Sequence, residues 1–274
     1  MIIGVRAHDY GKMGVKKLLH TISGDGWQTV QLAFTKAVEG VGAFHEVTQE
    51  IIRETKSALD DTGLSVAVLG VYVEPSYVDD SRRRTQADIL SSAFPQAKAL
   101  CARCVGTETT SMKKQPGIAR SEALVALRRT LEEILPEAEL LGVDVAVEPV
   151  HYHTLNTPEL AGELLRDMAS PRLKIIFDPV NLLRLEDIAV QEALWKRCVE
   201  RFGASISAIH IKGASHEADG DGVLLPASFA DSVVDYPSLF AVLRDIDAPI
   251  LRELAIPAQA QQDYAFISNS ISRT

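Results

Sequence analysis

Short apolar runs alternate with amphipathic segments along the whole chain. The clearest example is the region 143–183, where two apolar runs each end in an acid followed by proline, at Glu148-Pro149 and Asp178-Pro179. Proline restricts the residue before it to extended conformations and cannot donate a hydrogen bond to a sheet. With an amphipathic segment between the two runs, the pattern predicts a βαβ unit whose carboxylates lie at the carboxyl ends of neighbouring parallel strands.

The same alternation predicts eight strand–helix repeats over the chain. A continuous run such as Leu64–Val73, rich in β-branched residues, is typical of a strand buried on both faces of a parallel sheet. Eight alternating units most readily close into a barrel with the helices outside. We therefore predict an α/β fold, a single-domain (β/α)8 TIM barrel over residues 1–274. The predicted strands are 2–7, 29–34, 64–73, 99–105, the two apolar runs of the region 143–183, 206–212 and 249–255.

Local signals predict several details of the helices and connections. Ser121 and Gly142 are expected to cap the two ends of a long helix, and Pro136 to kink it or split off its last turn. The connection 213–235 is rich in Gly and Asp and longer than most βα connections. Such a length is typical of a functional loop, often a lid.

The three cysteines are too few for a disulfide framework and fit a reducing compartment. Residues 82–99 predict one outer helix, and the strand 99–105 that follows contains both Cys101 and Cys104. A spacing of three residues places two side chains on opposite faces of a strand. The pattern therefore favours two buried thiols over a redox or metal pair.

Composition limits the partners that the protein can have. A formal net charge of −9 does not favour binding to nucleic acid or to an anionic membrane surface. The longest apolar run is too short to span a bilayer, and the N-terminus carries no export signal. We therefore expect a cytoplasmic protein with a small-molecule partner, without nucleic acid or membrane partners. The sequence leaves open whether it forms a homo-oligomer.

Four polar residues fall at the ends of four successive predicted strands: Glu148, Asp178, His210 and Glu253. In (β/α)8 barrels the active site lies at the carboxyl ends of the strands. Three carboxylates that meet there need a compensating cation, because like charges resist joint ionisation. Oxygen ligands with one imidazole and no thiolate suit a divalent ion. We predict that these residues bind one metal ion, which is Mn²⁺, Mg²⁺, Co²⁺ or Zn²⁺.

The four strand ends carry the motifs E-P-V at the fifth strand, F-D-P-V-N at the sixth, H-I-K at the seventh and R-E-L at the eighth, and V-G-T-E-T lies at 105–109. Together these motifs resemble those of the xylose isomerase-like barrel superfamily of sugar isomerases, sugar epimerases and inosose dehydratases. The resemblance implies that Glu148 and Glu253 bind the metal and also act as acid and base. A divalent ion acidifies the C–H beside a ketose carbonyl and stabilises the enediolate, so two glutamates can invert a stereocentre or exchange aldose and ketose.

Further polar residues near the predicted strand ends are expected to contact the substrate. His153 matches the family pattern E-P-V-x-x-H, and His151 lies two residues before it. The other candidates are His8, Glu108, Asn181 and Lys212. Two positions depart from the family: many epimerases have D-x-x-H where this chain has Asn181, and H-x-K-D where it has Gly213. Since an asparagine cannot take up a proton, the substrate or the stereochemical step is expected to differ.

The preferred function is therefore a metal-dependent isomerase or epimerase of a sugar, sugar phosphate or polyol, with an inosose-type dehydratase as a close alternative. A phosphodiesterase like endonuclease IV needs additional histidines at strand ends, where this chain has Ala33 and Glu108. It also needs a surface that attracts DNA, which the net charge of −9 disfavours. A barrel that only binds a ligand would need neither Glu148 nor Glu253.

Overall fold

Eight parallel strands close into a barrel in the computed structural model, which describes residues 1–220 and 222–272. In chain order the strands are β1 (Ile3–Arg6), β2 (Thr29–Leu32), β3 (Ser65–Gly70), β4 (Cys104–Glu108), β5 (Val145–Glu148), β6 (Leu173–Phe177), β7 (Ile206–Ile211), β8 (Gly213–Ala218), β9 (Leu224–Ala227) and β10 (Ile250–Arg252). The barrel order is β1-β2-β3-β4-β5-β6-β7-β10, and β8 and β9 form a separate antiparallel hairpin. The prediction of a (β/α)8 barrel is confirmed.

Ten α-helices connect the strands within the described part of the chain. In chain order they are α1 (Val15–Gly24), α2 (Phe34–Ala37), α3 (Gln49–Thr62), α4 (Asp80–Ser91), α5 (Phe94–Ala99), α6 (Arg120–Leu141), α7 (Pro158–Met168), α8 (Gln191–Phe202), α9 (Tyr236–Leu243) and α10 (Ala260–Ser272). Their apolar faces are buried, as the fully buried Leu127 of α6 and Trp195 of α8 illustrate. None of the helices in the described residues combines the length and the apolar character needed to cross a membrane.

The inside of the barrel is filled by a small apolar cluster. Its members are Ala67, Val68, Cys104, Ala146, Ile176, Ala208 and Leu251. Side chains alternate along a strand, so the residue two positions further along faces the same side. Two residues beyond four members of this cluster lie the four predicted metal ligands: Glu148, Asp178, His210 and Glu253. The apolar cluster therefore forms the floor beneath these four side chains.

A glycine on β4 allows this floor to close. A Cβ atom on Gly106 would lie 2.5 Å from Cγ1 of Val68 and 2.6 Å from Cδ1 of Ile176. These two side chains come from β3 and β6, so they meet across the barrel in the space above the glycine. The barrel interior is therefore a packed core, as in other barrels of this size, and not an open pore.

The structure corrects the predicted surroundings of the cysteines. Residues 82–99 do not form one helix, because α4 ends at Ser91 and α5 begins at Phe94. The fourth strand begins at Cys104 and not at residue 99. Cys101 is exposed and has a positive φ of 52°, whereas Cys104 is buried. The prediction of two buried thiols is therefore wrong for Cys101, which lies in the turn before the strand.

The ends of α6 agree with the sequence prediction only in part. Ser121 is not the cap, because the helix begins one residue earlier and the backbone N–H of Ala119 donates to Oε2 of Glu122 at 3.0 Å. The helix continues through Pro136, so its last turn is not separated. Gly142 ends the helix with a φ of 73°, as a C-terminal glycine commonly does.

Candidate active site

The four predicted metal ligands lie together at the carboxyl end of the barrel. Glu148 ends β5 and His210 lies in β7, while Asp178 and Glu253 directly follow β6 and β10. One ligand atom from each of the four lies within 4.8 Å of the others. All four side chains are buried, and Asp178 has no exposed surface. The structure thus brings these residues together, and their role as metal ligands stays a prediction.

His210 lies between the two glutamates. Its Nδ1 atom is 3.4 Å from Oε2 of Glu148 and 3.2 Å from Oε2 of Glu253. Burial alone would lower the pKa of His210, but the negative charges of the two glutamates raise it to about 10. The imidazole therefore carries a proton when only protein groups surround it.

Lys212 contributes a second positive charge to the same cluster. Its ammonium lies 2.9 Å from Oδ2 of Asp178 and 3.2 Å from Oε1 of Glu253. Burial would lower the pKa of Lys212, but these two carboxylates raise it above its ordinary value. Burial raises the pKa of Asp178 to about 6, although the charge of Lys212 opposes this shift. The ammonium of Lys212 therefore forms ion pairs with Asp178 and Glu253.

Asn181 links the two glutamates indirectly. Its Nδ2 group donates to Oε1 of Glu148 at 2.6 Å, and its Oδ1 atom accepts from Nζ of Lys212 at 2.7 Å. The same ammonium lies against Glu253. An amide can fill both roles at once because it offers a donor and an acceptor. Asn181 is therefore placed to orient Glu148 and Lys212.

Arg6 also belongs to the cluster, although the sequence does not predict it as a site residue. Its Nη1 atom lies 3.0 Å from Oε1 of Glu253, and its Nη2 group donates to Oδ1 of Asp9 at 2.7 Å. Burial would raise the pKa of Glu253, but Lys212, His210 and Arg6 lower it well below the ordinary value. No strand-end motif marks Arg6, which is one polar residue within the first apolar run.

The donor set fits a divalent cation. Nε2 of His210 is buried and has no hydrogen-bond partner among the described residues, while Oδ2 of Asp178 and Nδ1 of His210 contact only charged groups of the cluster. Buried polar atoms normally have a partner, so the unpaired ring nitrogen in this acidic cluster points to a ligand. Three carboxylates and one imidazole offer the oxygen and nitrogen ligands that Mg²⁺, Mn²⁺ and Zn²⁺ accept. Glu148, Asp178, His210 and Glu253 are the residues that would hold the ion.

A cavity of about 460 Å³ lies on the side of the mouth formed by β3, β4 and the loop after β5, and its lining includes Glu108 and His153. Nδ1 of His153 lies 3.7 Å from Oε2 of Glu108. Burial and then the charges of Glu148 and Glu253 raise the pKa of Glu108 to about 7. Burial lowers the pKa of His153 to about 4, so this imidazole is neutral at neutral pH. Both residues line the cavity, and their contact with a substrate stays a prediction.

His8 and His151 occupy different positions around the mouth. His8 lies in a short turn after β1, and its Nε2 atom is 3.4 Å from the hydroxyl of Tyr72. The backbone N–H of His151 donates to the carbonyl of Asn181 at 2.9 Å, and its ring Nδ1 lies 3.1 Å from the same oxygen. His151 therefore packs against the backbone of the loop that follows β6, and it does not line the cavity of about 460 Å³.

The β8–β9 hairpin explains why Gly213 departs from the family pattern. Gly213 pairs with Ala227 across the hairpin, and a Cβ atom on Gly213 would lie 2.3 Å from the carbonyl oxygen of Ala227. An aspartate would meet the same clash. The hydroxyl of Tyr236 donates to the carbonyl of Lys212 at 3.1 Å and fixes the start of the hairpin. The predicted long loop is therefore partly an ordered hairpin.

A second cavity, of about 430 Å³, lies at the opposite end of the barrel. Its lining includes Arg103, Asp144, Lys174 and Asp247. These residues lie just before or at the amino ends of strands, on the far side of the apolar floor from the four clustered ligands. Active sites of such barrels lie at the carboxyl ends of the strands, so we assign no chemistry to this cavity.

Several solved structures share the fold of this chain. A D-tagatose 3-epimerase-like protein superposes with a TM-score of 0.77 at 16% identity, covering 100% of this chain and 99% of that chain. An L-ribulose 3-epimerase gives 0.76 at 15% identity, covering 100% and 95% of the two chains. The IOLI protein, solved with a zinc atom, gives 0.72 at 15% identity, covering 100% and 99%. At these identities the likeness shows a shared fold.

A search of curated proteins finds no match to this sequence. A family model described as "Xylose isomerase-like TIM barrel" matches residues 19–269, which is nearly the whole chain. This match confirms the resemblance inferred from the strand-end motifs. The chain belongs to the xylose isomerase-like TIM barrel family.

Proposed function

We propose that the protein is a sugar isomerase or epimerase that depends on one divalent metal ion. The observation that carries the proposal is the buried cluster of Glu148, Asp178, His210 and Glu253 at the mouth of the barrel. Two relatives by fold support it, since one is an L-ribulose 3-epimerase and the other was solved with a zinc atom. The partner of the proposed enzyme is a small sugar or polyol.

The four clustered residues are the proposed ligands of the ion. When bound, the ion polarises the carbonyl of the substrate and makes the neighbouring C–H group easier to deprotonate. The donor set accepts Mn²⁺, Mg²⁺, Co²⁺ or Zn²⁺. Lys212 and Arg6 flank Glu253 and offset part of the negative charge of the cluster.

Glu253 and Glu148 are the proposed proton carriers. Lys212, His210 and Arg6 keep Glu253 ionised, which is the form that can accept a proton from carbon. Glu148 is held by the amide of Asn181. The strands that carry the two glutamates are separated by β6 and β7, so the carboxylates approach a ligand from different sides. A proton returned to the opposite face of the same carbon inverts that carbon, and a proton returned to the adjacent carbon gives isomerisation.

A screen of ketoses and inososes in D₂O with the metal-supplemented protein tests the proposal. We expect deuterium to enter one carbon of the substrate, detected by NMR. Glu253→Gln should slow this exchange by at least about 100-fold, because the amide cannot act as a base. Glu137→Gln, a change on an exposed face of α6, is the matched control and should exchange at the wild-type rate.

The products of the screen separate the alternatives. Loss of water from an inosose, in place of epimerisation, would identify the dehydratase. The proposed function is wrong if the protein, supplemented with each of the four metals in turn, neither exchanges deuterium into ketoses or inososes nor converts them.

A further inference from the structure

We propose that Gln31, Tyr72 and His8 form a hydroxyl-binding subsite that selects an uncharged sugar over its phosphate ester. These residues come from the first half of the barrel, opposite the proposed metal ligands of the second half. The inference rests on the proposed function, because it names the substrate class of the same site. It assigns a role to Gln31 and Tyr72, which no strand-end motif marks.

Gln31 presents a buried acceptor that no described residue satisfies. Its side chain is on β2 and the residue is 5% exposed. The Nε2 group donates to the hydroxyl of Tyr72 at 3.2 Å, which leaves Oε1 buried and without a hydrogen bond within the described chain. An unpaired buried amide oxygen costs free energy of folding, so its position beside Tyr72, which lines the cavity of about 460 Å³, points to a ligand that donates to it.

His8 adds further polar atoms beside the Tyr72 hydroxyl. Its Nε2 atom lies 3.4 Å from the Tyr72 hydroxyl, and its Nδ1 atom is buried with no hydrogen bond to the residues that the structure describes. Burial, and then the charges of Arg6 and Lys36, lower the pKa of His8 to about 3. The ring is therefore neutral at neutral pH and offers one donor and one acceptor. Gln31, Tyr72 and His8 together match the paired donors and acceptors of sugar hydroxyls.

Tyr72 connects the subsite to the cavity of about 460 Å³, which Glu108 also lines. Glu108 lies directly opposite Glu148 in the pairing of β4 with β5. In the proposed binding mode, a substrate whose reacting carbons lie at Glu148 extends past Glu108 toward Tyr72, and its remote hydroxyls bond to Gln31 and His8.

The charges around the cavity do not favour a phosphate. Lys114 is paired with Glu74, so its charge is already offset. The ammonium of Lys36 lies 3.1 Å from the centroid of the Tyr72 ring, and burial lowers its pKa. A phosphate dianion offers no proton to the oxygen of Gln31, and it would approach the carboxyl groups of Glu74 and Glu108. A neutral hydroxyl meets neither obstacle.

Isothermal titration calorimetry of the Mn²⁺-loaded protein with the D-ketohexoses and their 6-phosphates tests the inference. We expect each sugar that binds to have a Kd at least about ten-fold lower than its 6-phosphate, because an anion meets unpaired acceptors. Gln31→Met and Tyr72→Phe should each raise the Kd of the free sugar roughly three- to ten-fold, the effect of one lost hydrogen bond. Gln96→Met is the matched control, because Oε1 of Gln96 is also unpaired among the described residues but Gln96 lies on α5, near the other end of the barrel. This change should leave the Kd unchanged.

Tyr72→Phe removes a single oxygen and keeps the test decisive if Gln31→Met does not fold. Equal or tighter binding of the phosphates, or an unchanged Kd in both pocket variants while free sugars still bind, would overturn this inference and leave the proposed function standing. A panel in which neither a free sugar nor a sugar phosphate binds or exchanges deuterium would overturn the proposed function, and the subsite with it.

Discussion

Among single residues, Asn181 occupies the position with the largest consequence for the site. Its amide donates to Glu148 at 2.6 Å and accepts from Lys212 at 2.7 Å. Asp178 in turn accepts the backbone N–H of Asn181 at 3.1 Å, which fixes the start of this loop. The sequence marked Asn181 as a departure from a family histidine. The structure gives the residue a positioning role between the glutamates, where a donor and an acceptor are both needed.

Asn181→Ala should lower kcat about 10- to 100-fold, because groups that orient metal ligands and catalytic carboxylates have effects of this size. The bound metal should remain near wild-type stoichiometry, since the four ligands are intact. Steady-state kinetics and metal analysis measure the two quantities separately, and Asn269→Ala on an exposed face of α10 is the control. A wild-type kcat in Asn181→Ala would remove the positioning role.

His153 should make the stability of the protein depend on pH. Burial lowers its pKa from 6.5 to about 4, so the unfolded chain takes up this proton at a higher pH than the folded protein. The free energy of unfolding should therefore fall as pH is lowered from 6.5 to 4. Urea unfolding at several pH values should show a smaller fall in His153→Asn than in the wild type. The exposed His45→Asn should keep the wild-type slope, and equal slopes for His153→Asn would contradict the assignment.

The four clustered residues could be predicted because two simple sequence patterns mark them. Acid–proline pairs marked Glu148 and Asp178, and the repeat length placed His210 and Glu253 at the same end of the barrel. Arg6, Gln31 and Tyr72 gave no such signal, since each is one polar residue within or beside an apolar run. Their proximity depends on the register of β1, β2 and β3, which no local pattern specifies.

Among the secondary-structure elements, the β8–β9 hairpin is the one that the sequence predicts least well. The Gly- and Asp-rich composition of 213–235 predicted a loop, because neither strand shows a clear alternation of apolar and polar residues. The pairing of Gly213 with Ala227 requires a residue without a side chain. A tertiary contact thus sets the structure here, and it also removes the acid that many relatives carry at this position.

Gly213→Ala should destabilise the protein by about 1–3 kcal/mol, because the new methyl group would overlap the carbonyl oxygen of Ala227. Gly220→Ala is the matched control in the same hairpin, since a Cβ atom there meets nothing within 4 Å. The control should change stability by less than about 0.5 kcal/mol. Thermal and urea unfolding measure both variants, and equal stability of the two would show that the hairpin tolerates a side chain at Gly213.

For the whole molecule, the alternation of apolar runs and amphipathic segments was sufficient to predict the barrel. Strict alternation requires a parallel sheet, and closure gives every strand two neighbours. Closure also brings the ends of β5, β6, β7 and β10 to one mouth, although residues 148 and 253 are far apart in sequence. The boundaries of single elements were less predictable, because they depend on caps and turns such as that at Cys101.

The central claim is that this mouth binds one divalent ion through Glu148, Asp178, His210 and Glu253. Isothermal titration calorimetry of the metal-free protein with Mn²⁺ tests it most directly. We expect saturation at about one ion per chain in the wild type, and at least a roughly 100-fold weaker Kd in Asp178→Asn, which loses one charged ligand. Asp245→Asn, an exposed change at the opposite end of the barrel, should bind as the wild type does. No saturable binding, or the same Kd in Asp178→Asn as in the wild type, would contradict the claim.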